Sequence, residues 1–232
     1  MNIAIIPARG GSKRIPRKNI KQFQNKPMIA YAIKAAIESE IFDDVYVSTD
    51  DDEIQEIALK HHAKVPFKRP TELSDDITPT VPVITHAIQY LEEQGGEFDN
   101  VCCIYPAVPF IQIEDIRGAF KLLNESKLDY TFPIAEFPSA VQRAFTLGIA
   151  NKIAPMQPEN ELKRTQDLTT SYYDAGQFYW GSCESWKKNN RIHSNAAGYV
   201  IPSWRVVDID TIHDWQRAEI FYEAITKFQR RD

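Results

Sequence analysis

The chain has 232 residues and a net charge of −5, from 27 Lys and Arg side chains against 32 Asp and Glu. It has no long basic tail and no basic amphipathic helix, so we expect it to bind neither nucleic acid nor a membrane surface. The length fits a single domain, with room for an inserted lobe.

The cysteine content and the start of the chain predict a cytoplasmic protein. Cys102, Cys103 and Cys183 are odd in number and include an adjacent pair inside an apolar stretch. We expect all three to be buried thiols in a reducing compartment. The chain does not open with a basic-then-apolar segment and a small-residue cleavage site, and its longest apolar runs are too short to span a bilayer.

The first part of the chain alternates between predicted strands and predicted helices. Residues 3–6 are apolar without alternation, as expected for a strand that is covered on both faces. Isoleucines at helical spacing follow in residues 28–38, and residues 45–48 are typical of a second strand. Asp50 and Glu53 resemble a capping box at the start of the next helix.

The same alternation continues as far as residue 134 and predicts an α/β fold. Helical periodicity is present at 83–91 and 116–123, and apolar strands are predicted at 101–105 and 130–134. Strands separated by helices imply a mostly parallel sheet.

The periodicity weakens at about 137–175, where prolines and polar residues interrupt it. We expect an excursion from the main sheet here, forming a small dimerisation lobe within a single domain of residues 1–232. Strands are predicted again at 176–181, 197–201 and 205–209. A final helix is predicted with Trp215, Ala218, Tyr222 and Ile225 on one side.

A cationic loop follows the first predicted strand. Its sequence, ARGGSKRIPRK at residues 8–18, contains five cations and two adjacent glycines. In an open parallel sheet, loops at the carboxyl ends of the strands build the ligand site. The glycines allow close approach of a phosphate, which Arg9, Lys13 and Lys18 can neutralise, whereas Arg14 and Arg17 are expected to be solvated. The loop matches neither GxxxxGK[ST] nor GxGxxG, and a solvated cationic turn is the alternative.

Asp208 and Asp210 form a pair of carboxylates near the end of the chain. If residues 205–209 are extended, both side chains project from the same side of the strand. Paired carboxylate oxygens suit Mg²⁺, which bridges substrate phosphates in many enzymes. The alternative is a helix cap, since Asp210 and Thr211 precede the final helix.

Five segments, taken together, resemble a known family. They are IIPARGGSKRIPRKNI, VSTDDDEI, RPTELSDD, YDAGQFYWG and VVDIDTIHDW, and they occur in the order found in the cytidylyltransferases that activate nine-carbon 2-keto sugar acids, the CMP-sialic acid synthetase family. The resemblance covers nearly the whole chain. It implies a three-layer, Rossmann-like nucleotidyltransferase fold and a homodimer. It also implies transfer of CMP from CTP to the anomeric hydroxyl of a nonulosonic acid, with release of pyrophosphate.

The form of the loop, VCCIY and YDAGQFYWG are most similar to family members that use pseudaminic acid. Members that use sialic acid usually carry Gln-Pro-Thr-Ser-Pro-Leu-Arg at the turn where this chain has YPAVPF, residues 105–110. The resemblance therefore implies pseudaminic acid, activated for surface glycan or flagellin glycosylation, with sialic or legionaminic acid as alternatives. Two interpretations from other classes are a nicotinamide-dependent oxidoreductase, disfavoured by the absent GxGxxG, and a non-catalytic CTP-binding module.

The resemblance also implies roles for individual residues. Arg9, Lys13 and Lys18 match the loop positions that stabilise the leaving pyrophosphate, and Asp208 and Asp210 match the Mg²⁺-binding pair. The positions implied to bind the nucleotide are Ala8, Arg9, Gly10, Gly11, Ser12, Lys13, Arg69 and Thr80. The positions implied to bind the sugar acid are Tyr105, Arg143, Arg164, Gln177 and Tyr179.

Overall fold

The structure, a computed structural model, describes residues 1–188 and 191–229. Its strands are β1 (Asn2–Pro7), β2 (Gln22–Phe23), β3 (Lys26–Pro27), β4 (Asp44–Ser48), β5 (Asn100–Ile104), β6 (Tyr130–Glu136), β7 (Phe145–Leu147), β8 (Ile153–Pro155), β9 (Tyr172–Asp174), β10 (Phe178–Ser182) and β11 (Ala196–Val200). Its α-helices are α1 (Ile29–Glu38), α2 (Asp52–Lys60), α3 (Thr80–Glu93), α4 (Ile113–Ser126), α5 (Cys183–Lys188) and α6 (Ile212–Gln229).

Seven strands form one sheet, in the order β11-β6-β10-β5-β1-β4, with β9 paired to β6. Strand β1 runs parallel to both β4 and β5, and β11 runs parallel to β6. Strand β10 lies antiparallel between β5 and β6, and β9 is antiparallel to β6. The predicted mostly parallel sheet is therefore confirmed, with β9 and β10 as the reversed strands.

Both faces of strand β1 are buried, which explains why its sequence does not alternate between apolar and polar residues. Ile3 and Ile5 pack into a core cluster with α3 and α5, whereas Ala4 and Ile6 pack into a second cluster with α1, α2 and α4. All four side chains are fully buried. Because apolar helices cover both faces of the sheet, both sets of side chains must be apolar. The predicted three-layer arrangement is thus confirmed.

A third core cluster packs α6 against the β2–β3 hairpin. Trp215 of α6 packs edge-on against Phe23 of the β2–β3 hairpin, with ring centroids 5.5 Å apart. Ile209 is buried in the same cluster. The strand predicted at 205–209 is wrong: Ser203–Arg205 is a 3₁₀ turn, and residues 206–210 form no regular element. The alternation of apolar and acidic residues arises because Ile209 is buried under α6, and not because the segment pairs with another strand.

Helix α2 begins one residue later than predicted. Its N-cap is Asp51, whose carboxylate accepts hydrogen bonds from the backbone N–H groups of Glu53 and Ile54 at 3.1 and 3.0 Å. Asp50 instead accepts a hydrogen bond from the Gly10 backbone at 2.9 Å. Any of the three consecutive aspartates could cap the helix. Asp51 takes this role because Asp50 accepts the hydrogen bond from the loop after β1.

The segment between β6 and β9 leaves the main sheet. Strands β7 and β8 pair only with each other, antiparallel, and β9 returns to pair with β6. Residues 137–171 therefore lie outside the seven-stranded sheet, and we refer to them as the lobe. Large apolar side chains are exposed on it: Phe145, Leu147, Ile149, Ile153, Met156 and Leu162.

The three cysteines are buried free thiols, as predicted. Burial raises the pKa of each thiol above its ordinary value. Among residues 1–188 and 191–229, no helix has the length and apolar character needed to cross a lipid bilayer.

Candidate active site

The cationic loop borders a cleft of about 640 Å³ at the carboxyl end of β1. The sheet geometry places the loop there, because the Ala8 N–H donates to the Ser48 carbonyl of the neighbouring strand at 2.9 Å. The predicted site residues that line this cleft are Arg9, Ser12, Lys13, Lys18, Arg69, Thr80, Tyr105 and Asp210. The cleft therefore brings together side chains from both ends of the chain.

Gly10 is required by a close approach within the loop. A Cβ atom at this position would lie 2.7 Å from the Asp51 carboxylate, well inside van der Waals contact. Only glycine leaves room for the Gly10 N–H to reach Asp50 while Asp51 caps α2. A Cβ atom at Gly11 would meet nothing within 4 Å, so the fold itself does not demand glycine there.

Arg9 and Lys13 both form ion pairs with Asp76, which lies in the loop before α3. The Arg9 guanidinium is 2.7 Å from one carboxylate oxygen, and Lys13 contacts the other. Arg9 also donates to the Asp75 carbonyl. Hydrogen bonds from Lys13 and Arg9 lower the pKa of Asp76. An acidic side chain thus neutralises two cations where a phosphate could be bound.

Arg14 and Arg17 both form ion pairs, but only Arg17 departs from the prediction of a solvated side chain, because the Arg14 side chain remains 67% exposed. Arg14 lies 2.9 Å from Asp210. Arg17 makes a two-pronged contact with Asp51, one bond of which measures 2.8 Å, and it also contacts Glu53. Hydrogen bonds from Arg17 hold the pKa of Asp51 at about 2, below its ordinary value of 3.8. Arg17 therefore anchors the loop to the start of α2.

The helix-cap alternative for Asp210 is answered by the hydrogen bonds at the start of α6. Thr211 Oγ1 accepts from the Asp214 N–H at 3.2 Å, and Asp214 accepts from the Thr211 N–H at 2.9 Å. This is a reciprocal capping box. The Asp210 carboxylate instead lies 3.4 Å from Lys18, whose ammonium donates to the Ile209 carbonyl at 2.7 Å.

Asp208 and Asp210 fit a divalent cation that is completed by other ligands. Burial, followed by repulsion from Asp210, raises the pKa of Asp208. A cation bound at the Asp208 carboxylate would stabilise its charged form. Within the described residues no group of three or more His, Cys, Asp or Glu could hold a metal ion. A two-carboxylate site of this kind suits Mg²⁺, which retains waters and binds substrate phosphates.

Arg69 forms part of the floor of the cleft. Its side chain is only 5% exposed and donates to the carbonyls of Ser48 and Leu73. Desolvation lowers its pKa to about 10, so the guanidinium remains protonated at neutral pH. Its Nε atom is buried without a hydrogen-bond partner. A group that approached this atom would satisfy a donor that is otherwise uncompensated.

Tyr105 joins the first cleft to a second one, of about 620 Å³. Its hydroxyl shares a 2.7 Å hydrogen bond with Thr80, the first residue of α3. Its ring contacts that of Tyr179, with centroids 5.4 Å apart. Burial raises the pKa of Tyr105 to about 12 and that of Tyr179 further. Both hydroxyls are therefore neutral hydrogen-bonding groups at physiological pH.

Gln177 lies in a smaller cavity of about 100 Å³, which Lys18 and Asp208 also line. Its side chain is 4% exposed and donates to the Arg205 carbonyl at 3.1 Å. Its amide oxygen is buried and has no hydrogen-bond partner. The residue thus has an unsatisfied acceptor and lines the same cavity as Asp208.

The other two residues implied for the sugar acid lie elsewhere. Arg143 and Arg164 are exposed in the lobe, and neither lines the clefts described above. Arg164 forms an ion pair with Asp167 at 2.7 Å. The structure therefore does not bring these two arginines to the cationic loop of the same chain.

Sequence reasoning missed two residues that the structure brings to the clefts. Asp76 was visible only as part of the RPTELSDD segment, where acidic residues are ordinary for a surface loop. His193 lies in a polar stretch with no periodic pattern, and it reaches the second cleft only because β11 follows it along the sheet edge. Neither contact has a local sequence signal.

Comparison with known proteins places these features in a family. The family model described as Cytidylyltransferase matches residues 3–199. Pseudaminic acid cytidylyltransferase of Campylobacter jejuni is 42% identical over 96% of this chain and 97% of its own length. CMP-N,N'-diacetyllegionaminic acid synthase of Legionella pneumophila is 27% identical over 95% of this chain and 96% of its own length.

Two further comparisons concern a sequence relative and a solved structure. N-acylneuraminate cytidylyltransferase A of Danio rerio is 31% identical over 93% of this chain, which spans 49% of that protein. The solved structure of CMP:2-keto-3-deoxy-manno-octonic acid synthetase complexed with CTP superposes with a TM-score of 0.72 at 15% identity, covering 96% of this chain and 98% of that one. With a family model that matches most of the chain and relatives that align over nearly all of it, this chain belongs to the cytidylyltransferase family.

Proposed function

We propose that this protein transfers CMP from CTP to the anomeric hydroxyl of pseudaminic acid and releases pyrophosphate. The observation that carries this proposal is the 42% identity, over nearly the full length of both chains, to a relative named pseudaminic acid cytidylyltransferase. The cationic loop, the Asp208–Asp210 pair and the second cleft line cavities that share Tyr105. Such a junction would suit a reaction between a triphosphate and a sugar acid.

The loop after β1 would bind the triphosphate. Arg9 and Lys13 already hold a carboxylate, Asp76, in the first cleft. A triphosphate would replace that carboxylate with more negative charge. When the bond between the α-phosphorus and the pyrophosphate breaks, negative charge grows on the leaving group, and positioned cations stabilise it. Lys18, held by the Ile209 carbonyl, would extend the same positive field towards the aspartate pair.

Mg²⁺ is the cofactor in this proposal, and Asp208 and Asp210 would hold it. When bound, the ion would neutralise phosphate charge and make the α-phosphorus more electrophilic. The chain itself would keep Asp210 in place through Arg14 and Lys18. These two cations would also be free to turn towards phosphate oxygens once the aspartate charge is matched by the metal.

The second cleft would hold the sugar acid. Tyr105 and Tyr179 provide neutral hydroxyls and aromatic faces, which suit the amide and ring groups of a nonulosonic acid. From the smaller cavity that Tyr105 also lines, Gln177 would offer its unpaired amide oxygen to a hydroxyl or amide N–H. Arg143 and Arg164 could serve the acceptor's carboxylate only from the lobe of a second copy of the chain.

A homodimer is part of the proposal because the lobe exposes a set of apolar side chains. Ile149 and Leu162 are 96% and 97% exposed, and Leu147 is 70% exposed. Such a patch is costly in water and typical of an interface. We also place the reaction in the cytoplasm, since the buried free thiols suit a reducing compartment.

A substrate panel tests the proposal. Release of pyrophosphate from CTP would be measured with Mg²⁺ and with pseudaminic, legionaminic or N-acetylneuraminic acid. We expect the highest kcat/KM for pseudaminic acid. A higher kcat/KM for either of the other two would reassign the acceptor within the family. Failure to release pyrophosphate with all three would leave a non-catalytic CTP-binding module as the better account.

A further inference from the structure

One carboxylate, Asp174, contacts two residues of the second cleft and the backbone of the turn that leads into β10. Its Oδ2 atom accepts a hydrogen bond from the Tyr179 hydroxyl at 2.8 Å and lies 2.9 Å from the His193 Nε2 atom. Its Oδ1 atom accepts from the Gly176 N–H at 2.8 Å. A carboxylate can accept all three because it has two oxygens and no competing donor.

Asp174 itself does not line the cleft. The wall is formed by Thr80, Tyr105, Tyr179, Ile192 and His193, among others, whereas Asp174 lies behind it. It therefore affects the shape of the wall only through the residues that it holds. Gly176 has a φ of +61°, so the bond to its N–H also fixes the tight turn that leads from Asp174 into β10.

The two wall residues that Asp174 holds pack on a common aromatic ring. The rings of Tyr179 and His193 lie 5.5 and 5.1 Å from that of Phe132, measured between centroids. Tyr179 is buried, whereas the His193 side chain is 65% exposed. An exposed side chain keeps one orientation only if specific contacts hold it, and here those contacts are Asp174 and Phe132.

We propose that Asp174 is a positioning residue for the acceptor. It locks Tyr179 and His193 into the wall against which the sugar acid binds, and it has no role in binding CTP. The inference rests on the proposed function, since it assumes that the second cleft receives the acceptor. Asp174 also ends β9, the strand that returns from the lobe, and pairs with Ile134 of β6. The wall is therefore tied to the main sheet.

The test uses Asp174→Asn and Tyr179→Phe in the full chain. Asparagine has one oxygen in place of two, so it cannot accept all three bonds. Phenylalanine removes the tyrosine hydroxyl but keeps the ring. Loss of a bond to a charged group costs roughly tenfold or more in binding, so we expect KM for the sugar acid to rise by about that factor in both variants, with KM for CTP unchanged. The double variant should lose little more than either single one.

Asp44→Asn is the matched control. Asp44 accepts a 2.9 Å hydrogen bond from the Tyr46 hydroxyl on the edge strand β4, and neither residue lines a cleft described above. Asp44 also pairs with Lys64, so this variant likewise replaces a carboxylate that holds a tyrosine hydroxyl and a second partner. Because it lies away from the clefts, it should change neither KM.

Three outcomes are decisive. Wild-type KM values in folded Asp174→Asn and Tyr179→Phe would overturn the inference alone. Equal increases in KM for CTP and for the sugar acid would also overturn it, because they would indicate a general structural role. Absence of turnover by the wild-type protein with every sugar acid would instead refute the proposed function, together with the inference that rests on it.

Discussion

Arg9 and Lys13 extend from a loop that is tied to the start of α2 at two points. The Gly10 N–H donates to Asp50, and the Arg17 side chain pairs with Asp51, so the loop keeps both cations at the cleft. Lys13 is 80% exposed, and the Asp76 carboxylate with which it pairs is exposed as well. Exposed ion pairs of this kind contribute little to folding. We therefore assign these cations to ligand binding and not to the stability of the fold.

We expect Arg9→Ala and Lys13→Ala to slow nucleotide transfer without unfolding the protein. Losing a charge-assisted contact that strengthens in the transition state costs on the order of 2–4 kcal/mol, or roughly 30- to 1,000-fold in rate. Steady-state kinetics and thermal melting would check this. Lys60→Ala, which removes an exposed lysine paired with Glu56 on α2, should leave both unchanged. Near-normal turnover in the folded Arg9 and Lys13 variants would reduce the loop to a cationic turn.

At the aspartate pair, Asp208→Asn and Asp210→Asn should each lower activity steeply while the melting temperature changes little. The reason is that Thr211 and Asp214, and not Asp210, cap α6. Removing a negative oxygen ligand weakens a bound Mg²⁺, so raising the Mg²⁺ concentration or adding Mn²⁺ should restore part of the rate. Titrating activity against metal concentration is the measurement. Wild-type rates at limiting Mg²⁺ would exclude both residues as ligands.

At the scale of elements, the start of α2 ties the loop after β1 to the sheet. Asp51 caps the helix and pairs with Arg17, and its pKa lies at about 2 instead of 3.8. A carboxyl with a depressed pKa in the folded state stabilises the fold above its unfolded pKa. That stability is lost as the pH falls through the folded value.

We therefore expect the wild-type protein to lose about 2 kcal/mol of stability relative to Asp51→Asn between pH 4 and pH 2. Asparagine still caps the helix but does not titrate. Urea unfolding of both proteins across this range would measure the difference. Parallel curves for the two proteins would show that the Arg17–Asp51 contact does not contribute to stability.

The elements that the sequence predicts well are those with a strong local cause. Strand β1 is a continuous apolar run, and helices α1 and α3 carry apolar residues at helical spacing, so each pattern indicates its own element. The failure at 205–209 has the opposite cause. There the alternation arises from one buried side chain, Ile209, which packs under α6. A strand forms only where a partner strand is available for pairing, and the local sequence does not specify that partner.

The candidate site follows the same division. The cationic loop could be placed at the sheet edge from the order of elements and its glycines. The contacts between distant residues could not be predicted. Asp76 pairs with Arg9, which lies 67 residues earlier in the chain, and Asp174 contacts His193, which lies 19 residues later. Such contacts depend on where loops meet in three dimensions. The antiparallel insertion of β10, which positions Tyr179 and Gln177, is likewise a property of the whole sheet.

At the scale of the whole molecule, the lobe stands out among the described residues for its low burial and its many exposed apolar side chains. We expect Leu162→Glu to shift the protein from dimer to monomer in sedimentation velocity, because a charge in an apolar interface is left without a partner. Leu59→Glu, at an exposed apolar position on α2 outside the lobe, is the matched control and should remain dimeric. A wild-type protein that sediments as a monomer at all concentrations would contradict the role given to the lobe.

The central claim is that the clefts on either side of Tyr105 bring CTP and pseudaminic acid together for transfer. ³¹P NMR of the wild-type protein with both substrates and Mg²⁺ tests this most directly, because it resolves the triphosphate, the phosphodiester of a CMP-sugar and free pyrophosphate in one sample. The account predicts that the CTP signals are replaced by CMP-sugar and pyrophosphate in equal amounts, and only when the sugar acid is present. Unchanged CTP, or conversion to free CMP without the sugar acid, would contradict it.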